Sequence, residues 1–103
     1  MDTKTALETL SERDRIVAER VGRRLASTWP EWTVADAAET VAVGLAAWRA
    51  YEGEGSIYYA MGTAIVATGI HPKVAEEIVE STRLRFADLR AEERRMAQRR
   101  AEA

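Results

Sequence analysis

Between Ile57 and Thr68 the chain reads IYYAMGTAIVAT, without one charged side chain. A helix built from such a segment is apolar all round, so neighbouring helices must cover it on most sides. This requirement organises the reading of the rest of the chain, which must supply the cover. The charge-free run extends from Gly55 to Ile70. It falls short of the ~20 apolar residues that a membrane span needs, and it carries glycines and hydroxyls besides. The expectation is a central helix over 57–68 and no membrane segment.

Three further segments carry helix signatures. In LSERDRIVAERVGRRLASTW, Ser11 is an N-cap with Asp14 three residues on, a short-armed form of the capping box. Leu10, Val17, Val21, Leu25 and Trp29 then recur at helical spacing and make one apolar stripe. Pro30 ends the helix, because the residue before a proline is pushed out of the α region. Residues 3–10 add helical turns ahead of the cap, with Leu7 on the same side.

In WTVADAAETVAVGLAAWRAYEGEG the logic repeats. Thr33 caps, Asp36 sits at N3, and Trp32 packs over Ala37. Val34, Ala37, Val41, Leu45, Trp48 and Tyr51 form the expected buried face. Gly53 and Gly55 stop this helix and Ser56 caps the next. After the uncharged helix, Gly69 fits a left-handed C′ position, His71 an N-cap and Pro72 the N1 position, where its missing N–H costs nothing. Val74, Ala75, Ile78, Val79, Phe86 and Leu89 then face inward, and the stripe thins to Met96.

The fold class is therefore all-α, a compact bundle of four main helices at about 12–28, 34–51, 57–68 and 72–90 or beyond. A short N-terminal helical extension precedes it and a long charged C-terminal helix closes it. Residues 1–90 form a single helical domain and 91–103 a charged arm or frayed tail. At 103 residues, one core of ordinary size suffices.

Composition narrows the chemistry. The chain is 47% hydrophobic and 31% charged, a globular balance, and it has no cysteine. Disulfides and thiolate metal sites are thereby excluded, which fits a reducing compartment. Residues 1–10 lack the basic start and apolar run of a secretory signal, so the expected location is cytoplasmic. His71 is the sole imidazole, and no nucleophile-elbow glycines surround any serine. Asp36 and Glu39 read as solvated residues rather than metal ligands. No catalytic constellation, cofactor or metal is expected.

The net charge of −2 is unevenly spread. From 30 to 82, Arg49 and Lys73 face eight acids, whereas seven arginines between Arg83 and Arg100 face Asp88, Glu92, Glu93 and Glu102. The corner at 57–80 has the general layout of a helix-turn-helix, and with the arginine-rich arm it carries the alternative of a DNA-binding transcriptional regulator. Its second helix, however, presents Glu76, Glu77 and Glu80, which repel phosphate, so nucleic-acid binding is not the favoured reading.

The leading expectation is a small non-enzymatic helical protein acting through protein–protein interaction, as an inhibitor, adaptor or accessory subunit. A helix over 72–100 would run about 43 Å against ~27 Å for an 18-residue neighbour, leaving an overhang. Its arginines suit an acidic protein partner, and the nearest acidic surface belongs to a second copy, hence a homodimer. The expected contacts are Trp32, Phe86, Leu89, Arg90, Arg94 and Met96. Exposed aromatics at Trp32 and at one of Tyr58 or Tyr59 fit an interface as well.

Overall fold

The computed structural model describes residues 5–51 and 57–102. Among them there are five helices and no strand: α1 (Ala6–Thr9), α2 (Glu12–Thr28), α3 (Val34–Ala50), α4 (Ile57–Ala67) and α5 (Pro72–Glu102). The four main helices begin and end within a residue of the expected positions, except that α5 continues through the arm. The stops expected at Gly53 and Gly55 and the cap at Ser56 lie outside the described residues.

The capping residues act as their chemistry requires. Ser11 Oγ accepts the amide of Asp14 at 3.2 Å, and Thr33 Oγ1 accepts that of Asp36 at 3.0 Å. Gly69 turns the α4–α5 corner at φ +101°, with its amide on the Val66 carbonyl at 3.0 Å. His71 Nδ1 accepts the amide of Lys73 at 3.1 Å, the N-cap role expected of it.

Helices α2 and α3 pack antiparallel across the five-residue turn after Thr28. They approach so closely that a Cβ on Gly22 would lie 2.8 Å from the backbone nitrogen of Ala38. Gly44, on the other side of α3, makes room in the same way for Met61 and Ile65 of α4, since a Cβ there would come within 2.7 Å of Met61 Cγ. Val17, Val21, Leu45, Met61, Ile65 and Ile78 are fully enclosed at the centre. Each such side chain contributes about 1.5–3 kcal/mol through its removal from water. The buried hydroxyl of Thr82 is satisfied by the Ile78 carbonyl at 2.7 Å.

Helix α5 lies antiparallel along α2 and is fastened to it near its far end. Arg13 pairs with Glu93 (3.2 and 3.0 Å) and Arg20 with Glu92 (3.1 and 2.9 Å), each through two hydrogen bonds. The Glu93 carboxyl is held below the ordinary carboxylate range, chiefly by its hydrogen bond from Arg13. Arg13 also lies over the Phe86 ring at 5.5 Å, and that ring packs with Trp48 in a T-shaped arrangement, centroids 6.1 Å apart. With its 31 residues α5 runs about 46 Å and sets the 49 Å long axis of the molecule.

Several expectations are corrected here. Phe86 and Leu89 are not beyond the cover of the bundle: they are 5% and 8% exposed, because α2 accompanies α5 as far as Glu93. Val34 and Tyr51, placed on the buried face, are exposed at the two ends of α3. Glu39 is not a freely solvated carboxylate. It accepts the amides of Ala6 and Leu7 and so pins the first turn of α1 against α3. Asp14 does not act as a capping-box arm; its carboxylate is buried and grips Arg49 Nε and Nη2 at 2.7 and 2.8 Å. Finally, α4 is not covered on most sides, and its open side leads to the candidate site.

Candidate functional site

Helix α4 has two unlike faces. Met61 and Ile65 point into the core against α3. Tyr59, Thr63 and Val66 recur at i, i+4 and i+7 and therefore share the other face. That face is open. Tyr59 is 64% and Val66 38% exposed, and Thr63 is exposed with them. The segment could not place a charge there, so the surface it leaves is apolar.

The Gly69 corner sends α5 back along α4, close enough that Gly62 faces Val79; a Cβ on Gly62 would sit at an ordinary 3.9 Å from the valine Cγ2. A groove of about 680 Å³ runs between the two helices. Tyr59, Gly62, Val66 and Val79 form its walls, Pro72 stands at one end, and Glu76 and Glu80 form its rim. The Tyr59 ring leans against Tyr51, centroid to centroid 5.9 Å, which gives the wall an aromatic end.

The rim is acidic. Glu80 is paired along its own helix with Arg83, Arg83 Nε to Glu80 Oε2 at 3.0 Å. Glu76 and its neighbour Glu77 are exposed and make no ion pair among the described residues. An apolar floor with carboxylates along one edge suits a polypeptide that brings small or apolar side chains flanked by arginine or lysine.

Of the expected contact residues, the structure brings only some to the surface together. Arg90, Arg94 and Met96 are exposed on α5, with Met96 at 57%. Phe86 and Leu89 belong to the core, and Trp32 is half-buried beside Trp29 at the α2–α3 turn, ring centroids 6.3 Å apart. Trp32 and the arm thus lie on separate elements and compose no single patch with the groove.

A second concavity of about 490 Å³, at the junction of α1, α2 and α3, contains Asp14 and Arg49 beside Thr9, Leu10 and Ser11. The two charges satisfy each other, and Arg49 also stacks on the Trp48 ring at 4.1 Å. The arrangement is that of a structural ion pair. Among the described residues no three metal-ligating side chains converge, and no helix is long and apolar enough to cross a membrane.

Sequence reasoning missed Val66, Gly62 and the acidic rim as parts of one surface. The available signal was the adjacent pair Tyr58–Tyr59, which cannot both face inward on a helix. No family model, no curated protein and no solved structure matches the chain.

Proposed function

We propose that this chain is a small non-enzymatic protein that works by docking another polypeptide along the open face of α4 and the adjoining first turns of α5. The reading is carried by one observation: an uncharged helix leaves its Tyr59–Thr63–Val66 face open beside a groove whose far rim is acidic. Exposed tyrosine next to a groove is the composition of an interface core. The occupant that fits is a helix presenting small or apolar side chains at i, i+3, i+4 and i+7 and carrying basic residues on its flank. Inhibitor, adaptor and accessory-subunit roles all reduce to this contact.

A second reading, DNA binding by the corner and arm, is favoured by five arginines from Arg90 to Arg100 that form no ion pair among the described residues. Against it stand Glu76 and Glu77, exposed where a recognition helix needs donors to base edges. A discrete, competitor-resistant complex on duplex DNA at ~150 mM salt would favour that reading instead.

The docking reading is tested with a photo-crosslinking amino acid at position 59 or, as a control, at the exposed position 23 of α2, in cells that express the protein natively. A defined polypeptide adduct is expected from position 59 and none from position 23. No adduct from 59, or the same adducts from both, would contradict the reading.

A further inference from the structure

Resting on the docking reading, we propose that the occupant of this surface is a second copy of the same chain, whose α5 lies antiparallel along α5 so that Glu76 meets the partner's Arg94 and Glu80 meets the partner's Arg90. Glu76, Glu80, Arg83, Ala87, Arg90 and Arg94 follow one another at intervals of four and three residues, and therefore share one face of α5. This face lies outside the core: Glu76, Arg83, Arg90 and Arg94 are exposed, and Glu80 and Ala87 half-buried. The intervals are those of a coiled-coil seam, although the residues are charged or small where such a seam has leucine.

The charges on this face are arranged with a symmetry. Glu76 and Arg94 are each nine positions from Arg85, Glu80 and Arg90 each five, and Arg83 and Ala87 each two. A two-fold axis at the level of Arg85 consequently sets acid on arginine at every outer pairing. A parallel arrangement would set acid on acid and arginine on arginine, so the face specifies orientation as well as partner. At the centre, Ala87 leaves room for two helix axes to approach at about 8–10 Å. Arg83 brings little repulsion there, because Glu80 of its own helix neutralises it.

The same register accounts for the arm. Glu92 and Glu93 are the last residues of α5 held by α2, so the helix from Arg94 to Glu102 projects beyond the bundle. In the antiparallel pair, the partner's projecting turns pass Glu76 and lie over Pro72 at the open end of the groove. At this register Ala97 and Ala101, which continue the four-and-three spacing, come opposite Lys73 and Gly69 at the α4–α5 corner. Within one chain Glu76 and Arg94 are about 27 Å apart along the helix, well beyond the ~8–10 Å reach of a screened charge. They have no means of compensating each other except in a second copy.

This separation makes a charge-swap cycle decisive. Sedimentation equilibrium is measured at low and physiological salt for the full chain, for Glu76→Arg, for Arg94→Glu, and for the variant carrying both. The wild type is expected to dimerise more tightly at low salt. Each single reversal creates two like-charge contacts per dimer and should weaken association at least about tenfold, whereas the double variant should return to within about threefold of wild type. Both positions are exposed, and unchanged thermal melts of the dilute variants verify that folding is intact. A wild type that stays monomeric to about 1 mM, single variants that associate like wild type, or a double variant that is not rescued would each overturn the inference. The docking reading is tested separately, since a crosslink from position 59 to a different protein would preserve it while excluding the second copy.

Discussion

The seam between α2 and α3 and the seam between α4 and α5 are both helix–helix contacts with a glycine in them, and they serve opposite ends. At the first, Gly22 lets the two backbones come so close that even a methyl group would strike Ala38. At the second, a Cβ on Gly62 would meet nothing closer than an ordinary contact, and the helices stand apart around a groove of about 680 Å³. One seam is closed and holds the fold together. The other is open on its outer side, with a tyrosine and a valine left in water. That open side is where we propose that another polypeptide docks.

The contrast can be broken most sharply at Gly22. Gly22→Val would force α2 from α3 along their length and should cost about 3 kcal/mol in chemical denaturation, despite the better helix propensity of valine. A midpoint within error of wild type would mean that the seam is not closed as described. A smaller effect follows at the far end of the same seam. Arg49→Met leaves the Asp14 carboxylate, 3% exposed, without its charged partner. Because Arg49 itself is half in water, the cost should be about 2 kcal/mol rather than the larger loss of a wholly buried pair. Adding Asp14→Asn to that variant should recover much of it, and no recovery would locate the loss in packing against Trp48 instead.

At the open seam the sign reverses. Gly62→Ala has room for its methyl and gains helix propensity, so the protein should become about 0.5–1 kcal/mol more stable. Destabilisation there would indicate that α4 and α5 close upon each other in solution. The smallest effect concerns the clasp that joins α2 to the end of α5. Since Arg13 lowers the Glu93 pKa in the folded state, the contribution of this pair is fully present above the ordinary glutamate range of about 4.3 and is lost as pH falls through the lower folded value. Amide exchange around residues 92–93, corrected for its intrinsic pH dependence, should accelerate over that acid window in wild type and lose the dependence in Glu93→Gln. Identical pH profiles would show that Glu93 is not the group responsible.

How far the sequence reaches is clear from particular residues. Ser11, Thr33, Gly69 and His71 perform the capping roles their types and spacing announce, because a cap is a local bargain between one side chain and the next turn. The periodic stripe of α2 was equally legible. The open face of α4 was not, because an uncharged helix has no polar side to signal which way it points; its composition argued for cover all round, and the number of neighbours decided otherwise. Gly22 and Gly44 were illegible for a related reason, since a mid-helix glycine reads only as a weak helix former until the helix across from it is known. Phe86 and Leu89 were legible as inward-facing but were also counted as partner contacts, because helix length alone does not say how far a neighbour runs alongside, and the Arg13–Glu93 pair that fixes it spans 80 positions of sequence.

The central claim, that the α4 face is left open in order to be covered by another polypeptide, is tested most directly by hydroxyl-radical labelling of Tyr59. Labelling is quantified in dilute purified protein and in intact cells that express it, with Val34 as reference. Val34 is 43% exposed and lies in the first turn of α3, outside the groove lining and off α5. Tyr59 should label readily in dilute protein and lose most of that labelling in the cell, while the labelling of Val34 is retained. Equal labelling of Tyr59 in the two settings, relative to Val34, would contradict the account and leave the open seam as mere surface.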